Sequence, residues 1–250
     1  MLKFSKVNQN FNTRIEFCIC NRELLVRRGK SYFINKKYKS IDVITNYMEN
    51  IDKIVYINLE KREDRRKEIE NELYNYNLDG ERFEGIYEKP PHGILGCLKS
   101  HLSVLKMAKE KDYKNVLIFE DDFYFVEEEN LVKKNMKLLF KKKPEFDVCF
   151  LSYHLHEGVV DRDDPFLTKV IFSTTASGYI VNNHYYDVLI DLYEDAVVKL
   201  ENTMEHWNYA NDQVWKELQS KDNWYCFTKR LGKQRDGFSD NSNAEVEMKC

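Results

Sequence analysis

Four apolar residues, Val116-Leu117-Ile118-Phe119, run directly into three carboxylates, Glu120-Asp121-Asp122. No other stretch constrains the fold of this chain as much. A short unbroken apolar run reads as a strand buried on both faces, and such strands belong to mostly parallel sheets covered by helices. The acids then lie at the strand's C-terminal end, the edge at which open α/β sheets bind ligands. Crowded there, they repel one another unless they share a cation. The stretch is therefore a candidate divalent-metal site. A solvated acidic turn is the plainer reading, and the surrounding motifs decide between the two.

From Lys53 onward strand and helix patterns alternate. An apolar strand at 53–59 meets the charged turn Glu60-Lys61-Arg62-Glu63-Asp64-Arg65-Arg66, and Ile69, Leu73 and Tyr76 follow at helical spacing. A second strand at 81–86 precedes a helix whose apolar face carries Leu98, His101, Leu102, Leu105 and Ala108. After the acidic strand come a helix with Leu131, Leu138, Leu139 and Phe140, a strand at 147–152, and two strands at 170–172 and 175–181. A helix with Tyr185, Val188, Leu189 and Leu192, a last helix capped by Asn211, and a strand at 224–227 complete the series. This alternation predicts βαβ units and a mostly parallel sheet flanked by helices. Residues 1–50 read instead as short β pieces at 15–20, 24–26 and 31–34 around a turn at Arg28-Gly29-Lys30, a small β-rich appendage to a domain over 51–250.

Composition narrows the function. With 250 residues, 42% of them hydrophobic, the chain can bury a large core. A net charge of −3 offers no basic field for nucleic acid, although residues 1–50 alone carry +6 and the remainder −9. No apolar run reaches the ~20 residues that span a bilayer, and no apolar signal core follows Met1, so a cytosolic chain without a transmembrane segment is expected. The six cysteines show no CxxC pair and no zinc-ligand spacing; Cys97, Cys149 and Cys226 sit in apolar settings where a thiol acts as a small hydrophobe. His101 reads by default as a satisfied core histidine.

With no GxGxxG or GxxxxGK[ST] loop to cradle phosphate, metal and arginine must do so. Arg62, Arg65 and Arg66 stand at the ligand edge of the first strand, where a guanidinium fork can grip a diphosphate. The small residues Ala176-Ser177-Gly178 inside a strand point to close approach of a ligand or another backbone. The polar stretch 232–243 frays unless it closes over the site, in which case Asp236 or Asp240 could complete a metal shell.

Ile57-Asn58-Leu59 with Arg62 and Arg66, Gly96-Cys97 with Ser100-His101, and Glu120-Asp121-Asp122 occur in the order found in glycosyltransferase family 25, which the chain resembles over about residues 53–243. Thr175-Ala176-Ser177-Gly178-Tyr179 and Asn211-Asp212-Gln213 look like its later blocks, and the whole is similar to glycosyltransferases encoded by large DNA viruses, which would place it in a host cytoplasm or a virion. The resemblance implies a GT-A-like nucleotide-diphospho-sugar fold, a UDP-sugar donor, Mn²⁺ or Mg²⁺, and inversion at the anomeric carbon. Carried over, Asn58, Leu59, Arg62 and Arg66 line the nucleotide pocket, Ser100 and His101 support it, and Glu120, Asp121 and Asp122 hold the metal-diphosphate. The usual DxD is here EDD, leaving open whether Glu120 or Asp121 partners Asp122.

In such a transfer Arg62, Arg66 and Arg235 add charge-assisted hydrogen bonds to the leaving diphosphate. Asp212, in the first turn of its helix, is the candidate base for the acceptor hydroxyl, and Trp207, Tyr209 and Trp215 suit stacking on a sugar acceptor. The acceptor would be a glycan or a hydroxylated protein; self-association stays open. Two rivals remain at this level, a metal-dependent nucleotide-sugar hydrolase and a non-catalytic sugar-nucleotide or glycan-binding module.

Overall fold

The computed structural model describes residues 50–241 and 244–247, together with the backbone of four strands nearer the N-terminus. The chain divides into two compact units, Met1–Asn46 and Tyr47–Cys250. In the first, β1 (Phe4–Ser5), β2 (Glu16–Cys20), β3 (Glu23–Arg28) and β4 (Ser31–Ile34) form an antiparallel sheet in sequence order. Gly29 and Lys30 of the expected turn lie outside the described residues, as do Ile15 and Cys250.

The second unit is a six-stranded sheet in the order β11-β9-β10-β7-β5-β6. Its strands are β5 (Lys53–Asn58), β6 (Glu81–Glu84), β7 (Asn115–Glu120), β9 (Val148–Val160), β10 (Leu167–Asn182) and β11 (Trp224–Phe227). The pairs β5–β6, β5–β7 and β9–β11 are parallel, whereas β10 runs against each of its neighbours. Five of the six strands thus point one way, and the sheet is mostly parallel as expected. The apolar run before the acids fills β7, and its side chains alternate between the two faces. Val116 and Ile118 enter one core with Leu98, Leu102 and Leu105 of α2 (Gly93–Glu110) and Leu189, Tyr193 and Leu200 of α4 (Tyr186–Thr203). Leu117 and Phe119 enter the other with Ile69 and Leu73 of α1 (Glu63–Asn75) and Val132, Met136 and Leu139 of α3 (Glu129–Lys142). All four are wholly buried, each worth roughly 1.5–3 kcal/mol over its exposed state. The end of β7 is thereby held rigidly from above and below.

Several expectations shift in detail. The strands expected at 170–172 and 175–181 are one strand of 16 residues, β10, whose ladder to β9 breaks register between Thr174 and Gly178. The helix expected from Asn211 is a series of three short turns, α5 (His206–Tyr209), α6 (Asn211–Val214) and α7 (Lys216–Gln219), in which Ala210 rather than Asn211 takes the N-cap position. In α4 the apolar face is turned from the expected one: Tyr186, Leu189, Ile190 and Tyr193 are buried while Val188 is exposed. The segment expected to fray is ordered through Asn241: β12 (Gly232–Gln234) pairs with β8 (Phe123–Phe125), and β13 (Gly237–Ser239) with β14 (Ala244–Val246).

Gly178 on β10 and Gly232 on β12 share one purpose. A Cβ on Gly178 would stand 2.7 Å from the Phe123 ring, and one on Gly232 would stand 2.1 Å from it. The two glycines form a slot for the residue that follows Asp122, which anchors the acidic turn from its far side. Gly178→Ala should therefore destabilise the chain by about 1–3 kcal/mol through overpacking. Combined with Phe123→Leu it should cost less than the two single losses added together, a double-mutant coupling that urea unfolding of the four proteins would detect.

Candidate active site

Three elements deliver polar side chains to the C-terminal end of β7. From β5 and the turn after it come Asn58, Leu59 and the arginines around the start of α1; from α2 come Cys97, Ser100 and His101; from β7 and its turn come the three acids. A cavity of about 120 Å³ lies among them, and Leu59, Arg65, Cys97, Ser100, His101, Glu120, Asp121, Asp122, Gln234 and Asp240 all line it. Leu59, Gly85, Ile86 and Tyr87 form a wall shared with a second hollow of about 420 Å³, where Lys61 stands 4.2 Å over the Tyr87 ring.

The acids point in different directions. Asp121 accepts from Asn58 Nδ2 at 2.7 Å, and Arg65 reaches it at 3.4 Å. Asn58, itself buried, also donates to the Arg62 carbonyl and accepts from Arg82, so it ties the start of α1 to the acidic turn. Asp122 accepts from Arg65 Nη1 at 2.8 Å through one oxygen, while its other oxygen lies 3.5 Å from Gln234 Nε2. Glu120 Oε2 receives the same Gln234 amide at 3.2 Å. Glu120 and Asp122 therefore converge on one point, and Asp121 is turned away from it. Burial first, and then the charge of Glu120, pushes the Asp122 carboxyl up to about 7; the attraction of Arg65 is too small to reverse this. Burial likewise raises Asp121, against the pull of Asn58 and Arg65. A buried and a half-buried carboxylate that approach the same amide fit a hard divalent cation such as Mn²⁺ or Mg²⁺, which prefers oxygen ligands.

Glu120 has a second set of partners. Its Oε1 lies 3.0 Å from His101 Nε2 and 3.7 Å from Cys97 Sγ, and His101 Nδ1 meets the Tyr179 hydroxyl at 2.8 Å. Burial, then the negative charges of Glu120 and Asp212, hold the Cys97 thiol well above its ordinary range. Ser100 serves the frame: its hydroxyl accepts from Ile86 N and donates to the Gly96 carbonyl, pinning the loop after β6.

The sequence profile of glycosyltransferase family 25 (LPS biosynthesis protein) matches residues 91–215, half of the chain. The chain belongs to glycosyltransferase family 25. A "Glycosyltransferase 25 family member" of Drosophila melanogaster is 29% identical over 30% of this chain and 17% of the relative. Human "Procollagen galactosyltransferase 2" is 28% identical over 40% of this chain and 20% of the relative. The chain thus matches about a fifth of the length of these relatives. A solved glycosyltransferase "involved in the glycosylation of the major capsid of PBCV-1" overlays 76% of this chain and 95% of its own at 12% identity and a TM-score of 0.45, too distant a likeness to argue from. No helix among the described residues is long and apolar enough to cross a membrane.

The matched span of this family 25 chain holds Cys97, Ser100, His101, the three acids, Ser177, Gly178 and Asp212, whereas Asn58, the arginines and Asp240 lie outside it. Several expected site residues face elsewhere. Arg66 is turned outward and pairs with Glu70 at i+4; Arg65, one residue earlier, reaches the cavity. Ser177 is buried against Ser152, and Gly178 admits Phe123 rather than a ligand. Arg235 donates its backbone N–H to the Asp122 carbonyl while its guanidinium reaches Glu72, so it acts behind the turn. Asp240 lines the cavity but binds Lys61 and Arg62 at 2.6 and 2.7 Å, and these contacts hold its carboxyl low even though burial opposes them. Asp212 accepts the Thr175 backbone N–H at 3.1 Å, fixing a non-glycine residue at φ 82. Trp215 is core, packed on Phe150, Tyr179 and Trp224, while Trp207 is exposed. Gln234 and Tyr87 carried no sequence signal; their place depends on β12 pairing with β8 and on the turn after β6.

Without a cation, Asp122 keeps its proton to about pH 7 when folded and releases it near 3.8 when unfolded. Stability from this group is therefore full below about pH 4 and is lost as pH rises toward 7. Asp122→Asn should flatten that limb in the metal-free chain and raise its melting temperature at neutral pH, by about 2–4 °C per kcal/mol regained. Thermal melts of both proteins across this range check it; a variant with the wild-type slope would overturn the assignment.

Proposed function

We propose that residues 51–250 form a GT-A-like catalytic domain that transfers a hexosyl group from a UDP-sugar to the hydroxyl of a glycan or hydroxylated protein, with metal assistance and inversion. Family membership supports glycosyl transfer, and the relative named procollagen galactosyltransferase motivates the hexose and the protein acceptor. The observation that carries the reading is the approach of Glu120 and Asp122 to the one Gln234 amide in the wall of the cavity. These two residues would hold Mn²⁺ or Mg²⁺, which when bound neutralises the charge gathering on the departing diphosphate as a Lewis acid.

The remaining roles fall to the chain's own groups. Arg65 adds a charge-assisted hydrogen bond to the diphosphate, and Arg62 does the same once a phosphate replaces the Asp240 carboxylate. Tyr87 and Leu59 offer the nucleobase a stacking and an apolar surface in the adjoining hollow. Asp121 works from behind, orienting Arg65 through the contact they share. Asp212 is the base for the acceptor hydroxyl, beside the bulge at Thr175. A cytosolic setting completes the proposal.

The test is a panel of nucleotide sugars with Mn²⁺, read as nucleoside-diphosphate release with and without acceptor; absence of release with every donor would overturn the reading. Within it, Arg65→Ala should weaken donor binding by roughly 1.5–3 kcal/mol in calorimetry, whereas Arg66→Ala should leave it near wild type. Equal effects of the two would reverse the geometric choice between neighbours. Asp212→Asn keeps an oxygen to accept the Thr175 N–H but cannot take a proton. It should cut transfer about 10²–10⁴-fold at unchanged donor affinity, and near-normal transfer would leave Asp212 a purely structural residue.

A further inference from the structure

Cys97 and His101 stand four residues apart on α2, so their side chains leave the same face of the helix one turn apart. Both meet the same atom from a second element, Oε1 of Glu120 at the end of β7, at 3.7 and 3.0 Å. The three donor atoms lie within 4.8 Å of one another, and all three residues line the cavity. We propose that Cys97, His101 and Glu120 hold a divalent cation of the zinc class, with its remaining coordination position open to the cavity.

Four features converge on this site. Two ligands at i and i+4 of one helix with a third from elsewhere is a spacing suited to zinc, and three protein ligands with one open position is the pattern of a reactive rather than a closed structural site. The donor set of sulfur, nitrogen and oxygen suits a borderline-soft ion, whereas Mn²⁺ and Mg²⁺ prefer oxygen alone. His101 has its second ring nitrogen against the Tyr179 hydroxyl at 2.8 Å, the outer contact that orients a metal-bound imidazole. Tyr179 is itself fixed, edge-on to the buried Trp215. Finally, the two oxygens of Glu120 face opposite partners: Oε1 faces Cys97 and His101, while Oε2 faces the Gln234 amide shared with Asp122. The carboxylate can thus serve this ion and the oxygen-bound one proposed above without changing its place. The open position would take an oxygen ligand, either water or a phosphate oxygen of a molecule in the cavity. The inference does not depend on the transferase reading, because the site exists whatever the cavity binds.

The experiment is cobalt substitution of the chelator-stripped full chain under reducing conditions. It should give a thiolate-to-cobalt charge-transfer absorption with the visible bands of a four-coordinate ion, saturating at equimolar cobalt and displaced by zinc. Cys97→Ser should remove the charge-transfer absorption. Tyr179→Phe should retain it while weakening cobalt binding by about 10–100-fold, the usual effect of losing an outer-shell partner. No charge-transfer absorption in the native chain, or its persistence in Cys97→Ser, would overturn the proposal and leave Tyr179, His101 and Glu120 as a hydrogen-bonded core chain. Should Cys97→Ser fail to fold, X-ray absorption at the zinc edge of the native chain decides: a single sulfur scatterer beside nitrogen and oxygen is expected, and a shell of nitrogen and oxygen alone refutes it. Donor turnover with Mn²⁺, run on the same zinc-free sample, reports separately on the transferase reading.

Discussion

Negative charge placed at the end of a buried strand is the constraint around which the rest of this structure is arranged. An isolated carboxylate taken out of water costs several kcal/mol even after relaxation, and here Glu120, Asp121 and Asp122 are adjacent. Each neighbouring element supplies an answer to that cost: Asn58 from β5, Arg65 from α1, His101 from α2 and Gln234 from β12. The answers are incomplete, since Asp122 still keeps a proton near neutrality. A fold optimised for stability alone would place apolar residues there. Acids placed where they repel one another fit the divalent cation proposed above.

The sheet gives that turn its rigidity. β7 is packed from one side by α2 and α4 and from the other by α1 and α3, and Phe123 is seated between two glycines directly beyond Asp122. The acids are therefore fixed at both ends of their turn. β10, the single reversed strand, brings Tyr179 opposite Ile118 in the ladder, which is how a tyrosine far away in sequence comes to orient His101.

Much of this was legible in the sequence because it rests on local periodicity. The unbroken apolar run gave a strand buried on both faces, and the apolar period of about 3.6 through Leu98, Leu102, Leu105 and Ala108 gave α2. What escaped depends on tertiary phase. Arg65 and Arg66 are equivalent as letters, yet one residue of helix rotates a side chain by about 100°, so one enters the cavity and the other meets Glu70 at the surface. The small residues around Gly178 point to a ligand or another backbone, but the group that approaches is the Phe123 side chain, whose position follows from β8 pairing with β12. Cys97 and His101 each read alone as a core residue and together as part of one block of the family resemblance; their shared contact with Glu120 depends on two elements meeting in the fold. Asp240 belongs to a segment whose polar composition says nothing about what it will bind.

Asp240 has a further bearing on traffic through the cavity. Together with the Phe238 carbonyl, which receives Arg62 and Arg65, it fastens the 237–241 segment to the entrance of α1. Two of its contacts are ion pairs from Lys61 and Arg62 to Asp240 and two are arginine hydrogen bonds to a carbonyl; the Arg62–Asp240 pair is largely buried, so salt screens it little. Under the proposed function, an anion that claims Arg62 would take it from Asp240, and its capture would loosen the rim. On that reading the chain's own carboxylate stands where a guest's charge would sit, so it would compete with the guest for the same arginine.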